Sequence, residues 1–529
     1  MTDAEYDLIV IGSGFGGAMA ALPAVRAGKR VLMIERGDWV PRGAGNWGPD
    51  GFFSLTSAYS SEAPYSVGRG GNADTLGTIA CVGGASVFYG GVALRLRERD
   101  FDPDPNLDLD SGAGWPFSYA DLEPYYSQAE RLLGVAGCAG EDPTEPSRST
   151  PYPQAPAPLA PIARHMKDVA RGLGLHPFPL PLAINYGNGA GRAPCVRCGT
   201  CDGFACAIGA KNDIATTLVP ELQRGEMTLA PNTVAVGFVV DRHRVTAVTC
   251  VDRKTLEPRR FTGKAIVVAA GALATPHLLM ASALHRSNPA GDAIGRYLMR
   301  HCNAVVMGVF RQKPAPDGEF HKQIGIQDYY SGHPSVATPH GKLGSIQQFG
   351  TPQTAYMVHH AAQWIDHRYT GLVRTIAHTV KPWFVPFGMP HTTGFIVIAE
   401  DRPQATNRVA LTNGSTPFGM PQAKIEHQYD ARDIAARDAL ASAAGRILRE
   451  AGALTMFRDA INTFSHAVGT VRMGTDPARS PLDGWGAFRG LDNLYVTDGS
   501  VLPRSGGVNP SLTIAATALR AGERIASTL

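Results

Sequence analysis

The N-terminal pattern of apolar and small residues predicts a strand, a glycine turn, a helix and a second strand. YDLIVI (6–11) has the pattern of a buried strand, and so does VLMIE (31–35). Between them, GSGFGGAMAALPAVRAGKR (12–30) predicts a tight turn followed by a helix of small residues. This order is a βαβ unit, so we expect an α/β fold with a Rossmann-like nucleotide-binding domain.

Strand and helix patterns return in the second half of the chain. Residues 228–251 and 261–269 alternate or run apolar as strands do, and residues 431–453 have the clearest amphipathic-helix pattern. A last helix is expected from Pro510. Residues 40–115 are rich in glycine and aromatic residues but lack periodicity, so they predict ordered surface loops.

One apolar stretch, residues 265–284, is long enough to suggest a membrane span. Gly271, Pro276 and His277 interrupt it, so a buried strand, a turn and a helix are the preferred interpretation. We expect no membrane span.

Length and charge limit the kind of protein this can be. A chain of 529 residues is too long for a single hydrophobic core, so two or more domains are expected. The net charge of +3 is small for this size and predicts no nucleic-acid partner. No basic and apolar leader precedes the first strand, so we expect a cytoplasmic location, with export alongside a partner left open.

The first glycine turn has the spacing of a dinucleotide-binding site. Gly12, Gly14 and Gly17 allow a tight turn, the approach of a pyrophosphate and close packing of helix on strand, with Ser13 between the first two. Glu35 ends the second strand, about 20 residues further on, where a carboxylate accepts hydrogen bonds from a ribose. The motif alone does not separate NAD from FAD, but an acidic residue argues against a 2′-phosphate.

Four further motifs, in order along the chain, resemble one enzyme family. The C-terminal part resembles the glucose–methanol–choline (GMC) oxidoreductases, and so do two glycine-containing segments before it. The motifs are VGGASVFYGG (82–91), IVVAAGALATPHLL (266–279), SHAVGTVRMGTDP (465–477) and LYVTDGSVLPRSGGVNPSLTIAATALRAGERI (494–525). The resemblance implies a two-domain flavoprotein, with a Rossmann-like FAD-binding domain and a substrate-binding domain built on a mixed or antiparallel sheet.

The resemblance also implies domain boundaries. The FAD-binding domain is expected to combine residues 1–110, 207–300 and 462–529. The substrate-binding domain and connecting segments are expected to cover 111–206 and 301–461.

Site residues follow from the same resemblance. His466 matches the active-site histidine, and Asn509 matches its partner, which is His or Asn in different members. Asp498 and Gly499 match a flavin-contacting turn. The expected cofactor contacts outside the first turn are Gly84, Ser86, Val236, Gly271, Asp498, Gly499, Asn509 and Pro510. Ser86 is expected against the flavin ring, and Val236 at the adenine.

Two positions depart from the family pattern. Some members attach FAD covalently through a histidine where this chain has Phe88, so we expect dissociable FAD. Many members have Asn where this chain has Tyr89, which puts the flavin contacts of that residue in doubt.

The implied function is FAD-dependent oxidation of an alcohol. His466 would take the hydroxyl proton, Asn509 would orient the hydroxyl, and the flavin N5 would take the hydride. The expected partners are a small-molecule alcohol, with a sugar, glycoside or polyol preferred, and O2 or another electron acceptor. Alternatives are a sterol or aromatic alcohol as substrate, a lyase or photodecarboxylase on this scaffold, and an NAD-dependent dehydrogenase.

The segment CVRCGTCDGFACAIGAK (195–211) holds four of the eight cysteines. Their spacing is close to that of ferredoxin-type ligands, but the last gap is longer and no proline follows. Some multi-subunit sugar dehydrogenases of the family use such cysteines for an iron–sulfur cluster, which would make this chain a flavin subunit with an electron-transfer partner. Free thiols in a structural hairpin are preferred, with disulfides or zinc a further alternative. The candidate ligands are Cys195, Cys198, Cys201 and Cys206.

A second segment, residues 347–371, contains Tyr, Trp and His residues that are candidates for lining a polar and aromatic pocket. Ordinary packing is the alternative for each of them.

Overall fold

The structure is a computed structural model of the full chain. It describes residues 5–47, 65–69, 72–108, 111–112, 114–187, 191–319, 321–334, 342–350 and 370–529.

The chain contains both helices and strands, with several strands in succession in its middle. In the described residues the α-helices are α1 (Phe15–Arg26), α2 (Pro105–Asp108), α3 (Tyr119–Leu133), α4 (Pro161–Gly172), α5 (Leu218–Arg224), α6 (Ala274–Ala281), α7 (Gly371–Gly388), α8 (Ala431–Glu450) and α9 (Ser511–Ala526). The strands are β1 (Tyr6–Ile11), β2 (Val31–Ile34), β3 (Tyr65–Arg69), β4 (Asn72–Leu76), β5 (Phe178–Pro179), β6 (Thr228–Ala230), β7 (Thr233–Asp241), β8 (Arg244–Asp252), β9 (Pro258–Phe261), β10 (Gly263–Val268), β11 (Cys302–Val309), β12 (Ile324–Ile326), β13 (Gly344–Phe349), β14 (Thr392–Ala399), β15 (Arg408–Ser415), β16 (Pro421–Glu426), β17 (Thr455–Ala460) and β18 (Leu494–Val496).

A parallel sheet in the order β18-β10-β1-β2-β6 forms the nucleotide-binding half. Residues 8–11 of β1 and all of β2 are buried, as continuous apolar runs in a parallel sheet require. Helix α1 packs against α9, so the first and last helices share one core. The predicted βαβ unit is confirmed, and the α/β fold class with it.

The other large sheet is antiparallel, in the order β17-β11-β14-β13-β12-β5. Helix α8 covers one face of it, and its apolar side fills a second core with strands β11 and β14. The predicted amphipathic helix over 431–453 is therefore confirmed, three residues shorter at its C-terminal end.

The region 40–115 differs from the loops predicted for it. Strands β3 and β4 pair with each other, and β3 also pairs in parallel with β16. Local periodicity did not predict these strands, because β3 is stabilised by pairing with β16, which lies more than 350 residues away in the chain.

The apolar stretch 265–284 forms the end of β10, a turn at Gly271 (φ +90°) and helix α6, as predicted. No helix in the described ranges combines the length and apolar character needed to cross a bilayer.

Two loops, one before β11 and one that carries His466, are joined by backbone hydrogen bonds. Met299 and Val468 exchange backbone hydrogen bonds of 3.0 and 2.9 Å. The loop before β11 therefore lies beside the loop that carries His466. The expected domain boundaries stay a prediction.

Candidate active site and cofactor cradle

The first glycine turn packs too closely for any other residue. Gly12 has φ +103°, and a Cβ there would lie 2.3 Å from the carbonyl oxygen of Ala269. A Cβ on Gly17 would lie 1.9 Å from the carbonyl oxygen of Gly12. The first and third glycines therefore let α1 sit directly on the ends of β1 and β10, as the motif predicts.

The N-terminus of α1 is open to an anion. Gly14 is its N-cap, no side chain caps it, and its first turn holds no acidic residue. Glu35 lies buried beside this turn and accepts hydrogen bonds from the Ser13 backbone N–H (3.1 Å), the Ser13 hydroxyl (2.6 Å) and the Gly37 backbone N–H (2.9 Å). Its carboxylate oxygens keep further lone pairs for ribose hydroxyls.

The turn at Asp498, in the C-terminal part of the chain, packs against α1. A Cβ on Gly16 would lie 2.7 Å from Cα of Asp498. Asp498 accepts hydrogen bonds from the backbone N–H groups of Gly271 and Ser500, each at 2.8 Å, and from the Thr275 hydroxyl. Burial raises the pKa of Asp498, while these hydrogen bonds oppose the rise. Gly499 follows in the same buried turn.

The loop 83–91 faces the first turn. Gly84 (φ +55°) approaches so closely that a Cβ would lie 3.4 Å from Cα of Gly14. Ser86 is buried, and its hydroxyl donates to the Gly83 carbonyl (2.6 Å) and accepts from the Ile214 backbone N–H (3.2 Å). The hydroxyl therefore fixes the loop itself. Tyr89 donates its hydroxyl to the Asn212 carbonyl at 2.6 Å.

These features fit a dinucleotide with a flat ring at one end. The uncapped helix suits a pyrophosphate, and the buried carboxylate of Glu35 suits an adenosine ribose. Among the described residues, no neighbouring atom lies within 4 Å of a Cβ built on Gly271, which leaves space there. Val236 lies half-buried in β7 at a β-bulge, and the first residue of β7, Thr233, donates its backbone N–H to the Glu35 carbonyl at 2.9 Å.

The cysteine segment (195–211) forms hydrogen bonds to the loop 83–91. The buried ammonium of Lys211 donates to three backbone carbonyls, of Tyr89 (2.5 Å), Cys201 (2.9 Å) and Phe204 (2.7 Å). Gly203 donates its backbone N–H to the Phe88 carbonyl at 2.9 Å. The segment thus braces the loop that faces the glycine turn.

All four clustered cysteines are free thiols. Burial raises the pKa of Cys195 and of Cys201, which keeps both protonated. Among the residues that the structure describes, which include all four, no group of three or more Cys, His, Asp or Glu side chains is arranged to hold a metal ion.

His466 and Asn509 lie in contact although they are 43 residues apart in the chain. Nδ2 of Asn509 lies 3.5 Å from Nε2 of His466, and both residues are half-buried. Asn509 is held in place because Pro510 follows as the N-cap of α9, which begins at Ser511. Two residues distant in sequence are therefore brought into contact, with their polar ends facing each other.

Two side chains from the antiparallel half contact this pair. Gln347 in β13 is fully buried, and its amide Nε2 lies 2.8 Å from Oδ1 of Asn509. His301, just before β11, places its Nδ1 2.9 Å from Nδ1 of His466, with the two rings nearly perpendicular. No motif in the sequence pointed to either residue, because each reaches the site only through the packing of the two halves.

Charge and burial set the proton affinity of the base candidate. Burial, together with the neighbouring His301 and Lys322, lowers the pKa of His466 to about 3, while Asp401 opposes the shift. Lys322 is itself buried and pairs with Asp202 at 2.7 Å. At neutral pH the His466 ring is therefore uncharged and able to accept a proton.

The candidate pocket segment 347–371 is only partly within the described residues. Gln347 reaches Asn509, but residues 351–369, which hold all of the Tyr, Trp and His candidates, lie outside the described residues.

Three family models match parts of this chain. Models of the N-terminal and C-terminal regions of GMC oxidoreductases match residues 184–303 and 403–518, and a model of FAD dependent oxidoreductases matches residues 7–41.

Two curated relatives span the whole chain. The 6‴-hydroxyparomomycin C oxidase of Streptomyces lividus is 35% identical, over 100% of this chain and 92% of that protein. The paromamine 6′-oxidase of Streptomyces fradiae is 33% identical with the same coverage. The crystal structure of a pyridoxine 4-oxidase from Mesorbium loti matches with a TM-score of 0.64 at 17% identity, covering 98% of this chain and 99% of that one, and so shares its fold.

Proposed function

Since the chain belongs to the GMC oxidoreductase family and is an FAD-dependent alcohol oxidoreductase, we propose that it oxidises a hydroxyl group of a sugar-like or glycoside molecule, with His466 as the general base and Asn509 orienting the hydroxyl. The contact between these two side chains carries the proposal. A ring nitrogen that can accept a proton and an amide that can donate a hydrogen bond lie 3.5 Å apart, so one alcohol oxygen placed beside them could contact both.

The proposed role of His466 is consistent with its electrostatics. A base must be unprotonated before reaction, and burial with nearby positive charge keeps this imidazole neutral. Asn509 carries no titratable proton, so it can donate to a developing alkoxide without competing for the proton of the hydroxyl.

The chain's own residues would hold FAD in two places. The uncapped start of α1 and Glu35 would bind the pyrophosphate and the ribose, while the loop around Gly84 and the turn around Asp498 and Gly271 would flank the ring. When bound, FAD supplies the hydride acceptor for alcohol oxidation. We propose that it is held without a covalent bond, because Phe88 stands where a linking histidine is expected.

The proposed substrate class rests on the relatives. Proteins named as oxidases of 6‴-hydroxyparomomycin C and of paromamine match this chain over its full length, which supports a hydroxyl-rich, sugar-like or aminoglycoside substrate. The word oxidase in both names supports O2 as the electron acceptor.

For the cysteine segment we propose a structural role. Lys211 and Gly203 tie it to the carbonyls of the loop 83–91, and this bracing requires no metal. The alternative, an iron–sulfur cluster that passes electrons to a partner subunit, requires the four thiolates to converge.

An anaerobic flavin-reduction screen tests the proposed function. The holoenzyme is mixed with aminoglycosides, simple sugars, alkyl glycosides, sterols and benzylic alcohols, and flavin absorbance is followed. We expect bleaching with members of the sugar-like set. Bleaching only by sterols or benzylic alcohols would contradict the substrate class, and no bleaching by any alcohol would contradict the reaction.

A further inference from the structure

A second histidine, His301, lies directly behind the proposed base. Its side chain is 1% exposed, and it touches His466 through the two Nδ1 atoms at 2.9 Å. Its other ring nitrogen, Nε2, lies 3.1 Å from the Ser505 carbonyl oxygen and 2.9 Å from that of Gly506. The ring therefore bridges the base to the loop that leads to Asn509.

The backbone of His301 is built to hold the ring in this place. Its φ of +60° is left-handed, which is uncommon for a residue with a side chain. Buried Asp401 accepts the backbone N–H of Arg300 (2.8 Å) and of His301 (3.1 Å), and it also accepts the Ser505 hydroxyl (2.8 Å). Tyr429 donates to the His301 carbonyl at 2.7 Å. One carboxylate thus fixes the loops on both sides of the ring.

The two carbonyls determine where the protons lie. A carbonyl oxygen only accepts, so Nε2 of His301 carries the proton, and in a neutral ring Nδ1 is then bare. Nδ1 of His466 must donate to it, which leaves Nε2 of His466 unprotonated, with a lone pair that can accept. Asn509 then turns its amide nitrogen toward this lone pair and its oxygen toward Gln347.

We propose that His301 is a positioning residue that holds His466 in the tautomer with the proton on Nδ1, so that the bare Nε2 faces the substrate. The inference rests on the proposed function, in which His466 is the base. A free imidazole populates both tautomers, and the tautomer with the proton on Nε2 presents a donor where an acceptor is required. His301 removes that unproductive state.

The direct test is the protonation state of His466 in holoenzyme labelled with 15N-histidine. Its resonances are assigned by comparison with His466→Ala, and two-bond 15N–1H correlations at pH 7 distinguish the tautomers. We expect a proton on Nδ1 and a bare Nε2 in the wild type and in His301→Asn. Asn tolerates the left-handed backbone, and its side-chain oxygen can accept from His466. His301→Leu should give a mixture of tautomers.

Kinetics provide the second readout. His301→Leu should reduce flavin with substrate about 100-fold more slowly, while His301→Asn should recover most of that loss. The matched control is His321→Leu, because His321 is also a buried histidine but contacts Thr393 and not His466. It should keep the wild-type tautomer and a rate within a few-fold.

The outcomes separate this inference from the proposed function. A wild-type His466 with its proton on Nε2, or a His301→Leu enzyme with unchanged tautomer and unchanged flavin reduction, overturns the positioning role. If His466→Ala reduced flavin at the wild-type rate, the base assignment would be wrong, while the tautomer measured by NMR would still test the contact with His301.

Discussion

Gln347 lies 2.8 Å from Asn509, with the amide nitrogen of the first facing the side-chain oxygen of the second. This contact joins the antiparallel sheet to the C-terminal segment. It turns the Asn509 nitrogen toward His466, so the orientation of the amide is set from outside the proposed catalytic pair.

Replacing Gln347 with Met should slow flavin reduction by about 10- to 100-fold, because Asn509 loses the donor that orients it. Met has a similar volume and no hydrogen-bonding group of comparable strength, so the core should stay filled. The rate is measured by anaerobic stopped flow with FAD content determined in parallel. The control is Gln348→Met, since the Gln348 side chain accepts from the Gln323 backbone N–H and does not contact Asn509. Equal rates for Gln347→Met and wild type would contradict the orienting role.

The acid limb of kcat/KM should lie well below pH 6.5. Burial, His301 and Lys322 lower the pKa of His466 to about 3, so the base stays unprotonated as the pH falls from 7 toward 5. Activity is lost only when the pH approaches the lowered pKa. Lys322→Met removes the nearby ammonium charge and should move the limb to higher pH. A wild-type limb at 6.5 or above would contradict the environment described for this ring.

The same pKa shift affects stability. The unfolded chain binds a proton at His466 near pH 6.5, and the folded chain does not until about pH 3. The unfolded state therefore gains protons first as the pH falls, and this residue makes unfolding easier across that window.

FAD should leave the protein on acid precipitation. Phe88 cannot form the bond that a histidine makes to a flavin, and the residues proposed to hold FAD would act through hydrogen bonds and helix polarity. We expect a yellow supernatant and a colourless pellet after treatment with trichloroacetic acid. A pellet that stays yellow after washing would show a covalent link at another residue.

Anaerobically purified protein should contain no iron or acid-labile sulfide, and all eight cysteines should react with a thiol reagent after denaturation without reductant. The reason is that the cysteine segment is held by Lys211 and by backbone contacts. Cys198→Ser should leave flavin reduction unchanged. Iron and sulfide in stoichiometric amounts would instead favour the flavin-subunit alternative.

A site residue can be predicted from the sequence when the contacts that fix it come from nearby segments of the chain. Gly12, Gly17 and Glu35 are predictable because the tight turn and the buried carboxylate come from residues close together in the chain. Ser86 lies in the predicted loop, but its hydroxyl binds Gly83 and Ile214, a choice that depends on a segment far along the chain.

His301 and Gln347 are site residues that the sequence alone does not predict. Neither belongs to a recognisable spacing, and each contacts the pair only because β11 and β13 pack against the C-terminal loops. The left-handed backbone of His301 depends on Asp401, one hundred residues further on, so no local pattern predicts it.

The proposed mechanism requires the imidazole of His466 to accept the substrate's hydroxyl proton. The most direct measurement is anaerobic stopped-flow reduction of the flavin in His466→Ala with a substrate found in the screen. We expect full FAD content and a reduction rate about 100- to 10,000-fold below wild type. A variant that binds FAD and reduces it at a rate close to wild type would contradict the claim.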